Sequence, residues 1–533
     1  MEVIPAIIDA MRWSRRRRLL MRARIAMLLA AMGASACSLL GGIDGSEYVL
    51  GTVASSSTSG TGGAGGAGGA GGGFHGEGVV VLQTYTEGDV DVADMAFLGD
   101  HVVVVGTVSR GLTLRSTADQ MPCTPLGDPG QAKDWFVLDL DSAGKPAWCV
   151  TIGGPGDDEA YAVATSPQRI FVGGRCGNVT HVTPPPIAPI PKACVIELTA
   201  DGASNNQAAW FGTDSGVSAV RGLAVLQDTT IIAVGHHDVE MPSFAFDSYG
   251  IDWEGCMDGV APGDPASAQP FVVSAQIDRG GCRVSLLDTS ANSAYPVAIA
   301  GSNPDDLFVA GQFDGSLGGM VTSVGNDGFA ARLHLQAAGT YLLQEAARIG
   351  GGSADYGTAI GVLGDSVAVG ANLLGPPGAP SCPNRTGGER SAAVLAVYDA
   401  PGFSCRGGVE LASQSPPVRA TPPRVHDLAW AREGLVVVGD FTELVTMFGP
   451  MPMGSLTTPR GYVMFLDYDP STMLVTTAAP TLFFGSAGTD TRVTTVARNG
   501  TAVAFGGEYT GDSPAGNGEL CPGLVCGFIR FAE

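Results

Sequence analysis

Asp157 and Asp158 follow Gly153-Gly154-Pro155-Gly156 and precede Glu159, so three carboxylates stand together in a glycine-rich turn. Carboxylate oxygens at that density are what a calcium ion takes as ligands, which makes Asp157 and Asp158 candidate metal residues. Aspartates also bond their own backbone in tight turns, and turn chemistry accounts for the same residues. Asp89, Asp91 and Asp94, and the pair Asp305-Asp306, are the other dense acidic groups. Of the seven histidines only His236 and His237 are adjacent. Neighbouring strand residues point to opposite faces, which disfavours one metal held by both rings. The segment between His237 and Pro270 carries Phe244, Phe246, Tyr249 and Trp253. Exposed, these aromatics form a patch for a sugar or a protein; packed inward, they hold their own loop down. No G-x-S-x-G, H-E-x-x-H, G-x-x-x-x-G-K-[ST] or complete EF-hand loop occurs, so no catalytic residue is singled out. Gly66-Ala67-Gly68-Gly69-Ala70-Gly71 spells G-x-G-x-x-G, but no strand precedes it and no helix follows. Calcium apart, no cofactor is expected.

These residues sit among short apolar runs. Between Asp134 and Cys176 there are four, at 135–140, 147–152, 160–165 and 170–175, each bounded by Gly, Pro, Asp or Ser. Labelled A, B, C and D in that order, they recur along the chain. The D run reads apolar-x-apolar-x-Gly, often followed by a polar residue, at Gly106, Gly174, Gly235, Gly311, Gly370, Gly439 and Gly507. That is a period of about 60 to 75 residues, the scale of a repeat architecture. The A run recurs at Trp135, Cys194, Phe271, Phe329, Ala392 and Tyr462, and a seventh time in Phe528-Ile529-Arg530-Phe531 at the C-terminal end. The N-terminal repeat lacks an A run and opens with Val79-Val80-Val81-Leu82. A strand missing at one end and supplied at the other predicts a closed ring. The fold class is therefore all-β: a seven-bladed β-propeller over residues 78–533, of four-stranded antiparallel blades, closed by the C-terminal strand pairing with the N-terminal blade. Ordering the strands A to D from axis to rim puts the B–C loops and the long D–A crossovers on one face. The short A–B and C–D turns then lie on the other. Loops carried by a rigid scaffold are where binding resides, so the crossover face is the expected interaction surface.

The succession F-V-x-x-L-D-x-x-G, W, G-G-x-G-D-D, A-V-A and V-x-G, best seen at 135–174 and 328–370, resembles the bacterial β-propeller repeat of the SBBP type. The resemblance covers roughly 78–533, and the repeats at Cys194 and Ala392 depart from it in the B strand. It implies a propeller on an exported or surface protein. It implies no particular reaction and no catalytic set.

Residues 1–36 have the layout of an export signal. Arg12, Arg15, Arg16, Arg17, Arg18, Arg22 and Arg24 precede a short apolar run at 25–32 and the small residues Ala34-Ser35-Ala36. Cys37 then stands where a lipobox has its lipidated cysteine; cleavage after Ala36 without lipidation is the alternative. Residues 37–77, with their Ser, Thr, Gly and Ala run, form a flexible tether. The chain carries 29 basic against 52 acidic residues, a formal charge of −23, which argues against nucleic acid and against an anionic membrane surface as partners. The membrane is expected to be met only through the lipid, at the outer membrane or cell surface, by a monomer. Setting Cys37 aside leaves ten cysteines with no C-x-x-C motif, consistent with disulfides formed after export. Sequential pairing joins Cys123 to Cys149, Cys176 to Cys194, Cys256 to Cys282, Cys382 to Cys405 and Cys521 to Cys526. The leading functional expectation is a non-enzymatic envelope lipoprotein that binds protein or glycan through its D–A crossovers. The alternative is a propeller hydrolase or lyase acting on polysaccharide through acidic groups around the central channel.

Overall fold

The computed structural model describes residues 79–84, 88–109, 112–115, 120–126, 132–154, 156–177, 192–212, 217–237, 245–249, 268–277, 282–287, 293–323, 325–337, 339–350, 354–374, 391–414, 422–431, 434–442, 445–447, 458–469, 474–477, 482–484, 489–511, 521 and 525–532. Cys37, the leader and the tether lie outside them.

Seven antiparallel sheets are the blades of a propeller. Blade 1 runs Val90–Leu98, His101–Ser109, Lys133–Leu140 and Pro146–Ile152. In the repeat lettering this is C, D, A, B. The innermost strands of all seven blades are C strands: Val90–Leu98, Glu159–Ser166, Ser218–Leu226, Ser293–Asn303, Tyr356–Leu363, Arg424–Ala431 and Thr491–Asn499. Each packs against the next, and the last against the first. The expected radial order A to D is therefore wrong: a blade is offset from the sequence repeat by two strands. The long D–A crossover links the second and third strands of one blade, and the short B–C loop passes to the next blade. Because the four blade strands are each antiparallel to their neighbours, both loop types still leave from the same face.

The C strands are buried on both sides because each faces a blade on either hand. They carry small and branched apolar residues, such as Val92, Met95 and Ala96 in blade 1 or Val425 and Leu428 in blade 6. Each C strand has one extra residue near its start. The ladder register shifts between Val92 and Asp94, and between Val425 and Asp427, opposite the glycine of the D strand. The bulge turns the strand, and in blades 1 and 6 the residue just after it is an aspartate that reaches the next blade. Asp94 accepts the Val163 N–H at 2.8 Å and Asp427 accepts the Val496 N–H at 2.9 Å, each across a blade boundary. The D-strand glycine is required by this packing. A Cβ on Gly439 would run into the Arg424 carbonyl oxygen and the Tyr462 ring. In blade 5 the roles are exchanged: Ala371 takes that ladder position and pairs with Gly357. The glycine expected there, Gly370, is one residue out of line.

The C-terminal strand Cys526–Ala532 is third in blade 7 and pairs with Val79–Thr84, with Phe528 opposite Val81 and Arg530 opposite Val79. Phe528 and Ile529 are buried, whereas Phe531 is only half-buried. Across the seam the Thr494 hydroxyl donates to the Val92 carbonyl at 2.7 Å, and Asn499 Nδ2 to the Gly99 carbonyl at 2.8 Å. Among the described residues three crossovers also reach backwards. Ala245–Tyr249, from the crossover of blade 3, adds a fifth strand to the rim strand Ser204–Gly212 of blade 2. Val445–Met447, from blade 6, does the same on Cys405–Gln414 of blade 5. Leu112–Arg115, from blade 1, pairs with Val79–Thr84 of blade 7. Each covers a sheet edge that would otherwise present unpaired backbone groups.

Candidate functional site

Every C strand begins, and every D strand ends, at the crossover face. One step outside the glycine position each blade places one cross-strand pair: Asp91 with Thr107, Glu159 with Arg175, Ala219 with His236, Tyr295 with Gln312, Tyr356 with Asn372, Arg424 with Asp440, and Arg492 with Glu508. Ala219 apart, these side chains are polar or ionisable, and together they form a polar collar at the crossover end of the inner strands. Its signal in the sequence is the polar residue that follows each V-x-G. That residue is Asn372 in blade 5, which fits the one-residue offset seen in the ladder.

Two networks fill the collar. In the first, Glu159 meets Arg175 at 3.1 Å and Lys133 at 3.5 Å, and accepts the Tyr161 hydroxyl. The Arg221 guanidinium lies 3.8 Å from the centre of the Tyr161 ring, and the His236 and Tyr295 rings meet edge to face at 4.9 Å. Burial pushes the Glu159 carboxyl up, but the Tyr161 hydroxyl and the surrounding cations outweigh it and hold it below its ordinary range. Burial raises Tyr161 to about 12 and drives His236 well below 6.5, helped by Arg221. The tyrosine is thus a hydrogen-bond donor and no ready nucleophile, and the histidine is neutral.

The second network runs from blade 6 through blade 7 to blade 1. His426 Nε2 meets Asp440 Oδ1, and Arg492 meets Asp490 at 3.4 Å. Glu508 lies within hydrogen-bonding reach of Asp91; burial, then the charge and hydrogen bond of Asp91, push its carboxyl well above 4.5.

The acidic residues first singled out have structural partners. Asp158 is buried and accepts the N–H groups of Gly177 at 2.6 Å and Gly154 at 3.1 Å, which ties the B–C loop to the start of a D–A crossover. Asp157 is exposed and accepts the Lys133 N–H at 3.3 Å. Among the described residues no three His, Cys, Asp or Glu side chains gather as metal ligands. His236 and His237 are both buried at the end of one strand. Phe244 and Trp253 lie outside the described residues. Phe246 and Tyr249 stand opposite Phe211 and Ala208 in the added rim strand. That strand belongs to the sheet of the preceding blade, a placement not visible in the sequence.

Disulfides join Cys123 to Cys149, Cys176 to Cys194 and Cys521 to Cys526. Cys282 and Cys405 are disulfide-bonded as well, while Cys256 and Cys382 lie outside the described residues. Such bonds belong to an oxidising compartment, extracellular or periplasmic. Among the described residues no helix is long and apolar enough to cross a membrane.

No family model matches the chain, and no curated protein matches it. Solved structures do. The phage phi92 endosialidase is 7% identical, with a TM-score of 0.37 over 86% of this chain and 69% of that one. The hemagglutinin-neuraminidase ectodomain of parainfluenza virus 5 is 8% identical, with a TM-score of 0.34 over 100% of both chains. The Neurospora crassa Pan2 WD40 domain is 9% identical, with a TM-score of 0.30 over 84% of this chain and 89% of that one.

Proposed function

We propose that the chain is a non-enzymatic binding scaffold of the bacterial envelope, anchored through a lipid on Cys37 and held off the membrane by residues 37–77. It acts as a monomer and docks a protein or a glycan on the crossover face. The observation that carries this reading is the fastening of three long crossovers to the rims of preceding blades. A segment already held by strand pairing, as 112–115, 245–249 and 445–447 are, does not lose that freedom again on binding, which is how a scaffold gains affinity. The collar adds hydrogen-bonding and charged groups at the same end of the molecule.

The acidic collar weighs less for a polysaccharide hydrolase. Glycoside hydrolysis by two carboxyls needs them about 5–9.5 Å apart, to flank the bond and admit water or a covalent sugar. Asp91 and Glu508, the two collar carboxyls that act on one another, lie closer than that, within hydrogen-bonding reach.

The test is direct binding of purified envelope polysaccharide and of purified envelope proteins, measured by calorimetry, to the wild type and to a Phe244→Ala, Trp253→Ala double variant. At least one ligand is expected to bind the wild type and to bind the variant about tenfold or more weakly, the loss of one well-placed aromatic contact. Equal binding by a variant that melts like the wild type contradicts the role of that loop, and turnover of the polysaccharide contradicts the non-enzymatic reading.

A further inference from the structure

The face opposite the collar carries a cavity of its own between blades 3 and 4, about 160 Å³ in volume. Its walls come from the ends of third strands and the starts of fourth strands. Ala275 and Leu335 supply an apolar side; Thr230, Ser274, Gln276, Arg283 and Tyr341 supply a polar one.

The polar side is ordered and rich in donors. Gln276 Nε2 donates to the Thr230 hydroxyl oxygen at 3.0 Å, and among the described residues the proton of that buried hydroxyl and the second amide proton have no acceptor. The Tyr341 hydroxyl donates to the Pro304 carbonyl at 2.6 Å with Ser274 in hydrogen-bonding reach of its oxygen, so it walls the cavity without competing for a ligand. Arg283 is the cation of the site. Its side chain lies along the turn at Gly339, with Nε 3.0 Å from where a Cβ on that glycine would stand.

In a chain with 52 acidic and 29 basic residues, arginines find carboxylates readily. Arg169 pairs with Glu197, Arg332 with Asp306, Arg348 with Asp327 and Arg492 with Asp490. Arg283 has no ion pair or hydrogen bond among the described residues, although Asp305 lies close enough for both charges to act on Tyr341. An exposed guanidinium with no carboxylate partner among the described residues, laid beside a cavity that offers two further donors, has the makings of an anion site.

We propose that this cavity binds a compact monocarboxylate. A cavity of this size takes a molecule of about six heavy atoms, the size of benzene. One guanidinium with two neutral donors balances a single negative charge in the planar, bidentate geometry a carboxylate presents. The apolar wall takes a short alkyl chain, which a phosphate lacks. The proposal is independent of the crossover-face reading, because it concerns the other face and other residues.

The test is ligand-observed NMR with butyrate, and separately with inorganic phosphate, on the folded propeller, with and without Arg283→Gln. Butyrate is expected to saturate with a Kd on the order of 1 mM, well within the ceiling for a ligand of so few atoms. Arg283→Gln is expected to weaken it about tenfold or more, with an unchanged melt because the side chain is exposed. Phosphate is expected to bind more weakly than butyrate. No saturable butyrate binding, or equal binding to wild type and Arg283→Gln, overturns the proposal. Tighter binding of phosphate overturns its assignment to a carboxylate.

Discussion

Replacing Phe528 with alanine removes a ring that is 1% exposed and sits where the two ends of the chain meet. The ring lies 6.2 Å from that of Phe484 and 6.4 Å from that of Tyr509, and its backbone pairs with Val81. The substitution leaves the backbone pairing possible and takes away only the packing. Truncating a buried phenylalanine costs about 3–5 kcal/mol. A cooperative unit of the propeller's size has an unfolding entropy near 1 kcal/mol/K, so the melt is expected to fall by about 3–5 °C. Phe531→Ala, at a half-buried position three residues on, is expected to cost distinctly less. Deleting 527–533 is expected to do far more, exposing the edge of Val79–Thr84 and leaving aggregation-prone protein. Differential scanning calorimetry on the four proteins reads all of this. The closure argument is refuted if Phe528→Ala melts with the wild type, or if the seven-residue deletion does.

Three further outcomes are expected. Burial raises Asp134 and Asp158 to about 7, the field of Asp158 adding to Asp134, while the unfolded chain releases both protons near pH 4. Their contribution to stability is therefore whole below about pH 4 and is lost as pH rises through about 7, so the melting temperature should fall over that window and Asp134→Asn should flatten the fall. Gly439→Ala forces a Cβ against the Arg424 carbonyl and should destabilise by about 1–3 kcal/mol in urea titration, whereas Ala371→Gly in blade 5 should cost well under that. Labelled fatty acid should enter the wild type in cells and not Cys37→Ser; equal labelling leaves a soluble exported protein.

The strand count and the closure were legible because they rest on local patterns. Phe528-Ile529-Arg530-Phe531 repeats the run at Phe329 closely enough to be assigned without a structure. Radial order was not legible. The C, D and A runs of blade 1 are all buried on both sides, so Val92, Val104 and Val137 look alike in sequence. What marks the innermost strand is the bulge at Ala93, and a bulge exists only relative to a partner strand. The backward-reaching strands were hidden for a similar reason: Leu112–Arg115 and Val445–Met447 are too short to carry a period. The collar was half visible. Thr107, Arg175, His236, Asp440 and Glu508 each follow a V-x-G or its variant, but only the antiparallel pairing shows that they gather at one end of the ring and that all but His236 face a polar or ionisable partner there.

The claim that the crossover face is the docking face is tested most directly by where a partner touches the propeller in the cell. A photo-crosslinking amino acid can be placed at Asp89 and Asp157, exposed on the crossover face, and at Asp100 and Asp365, exposed in the C–D turns of the opposite face. Specific crosslinked species from the first two positions, absent from the second two, are the expected result. Crosslinks confined to Asp100 and Asp365, or equal from both faces, contradict the assignment.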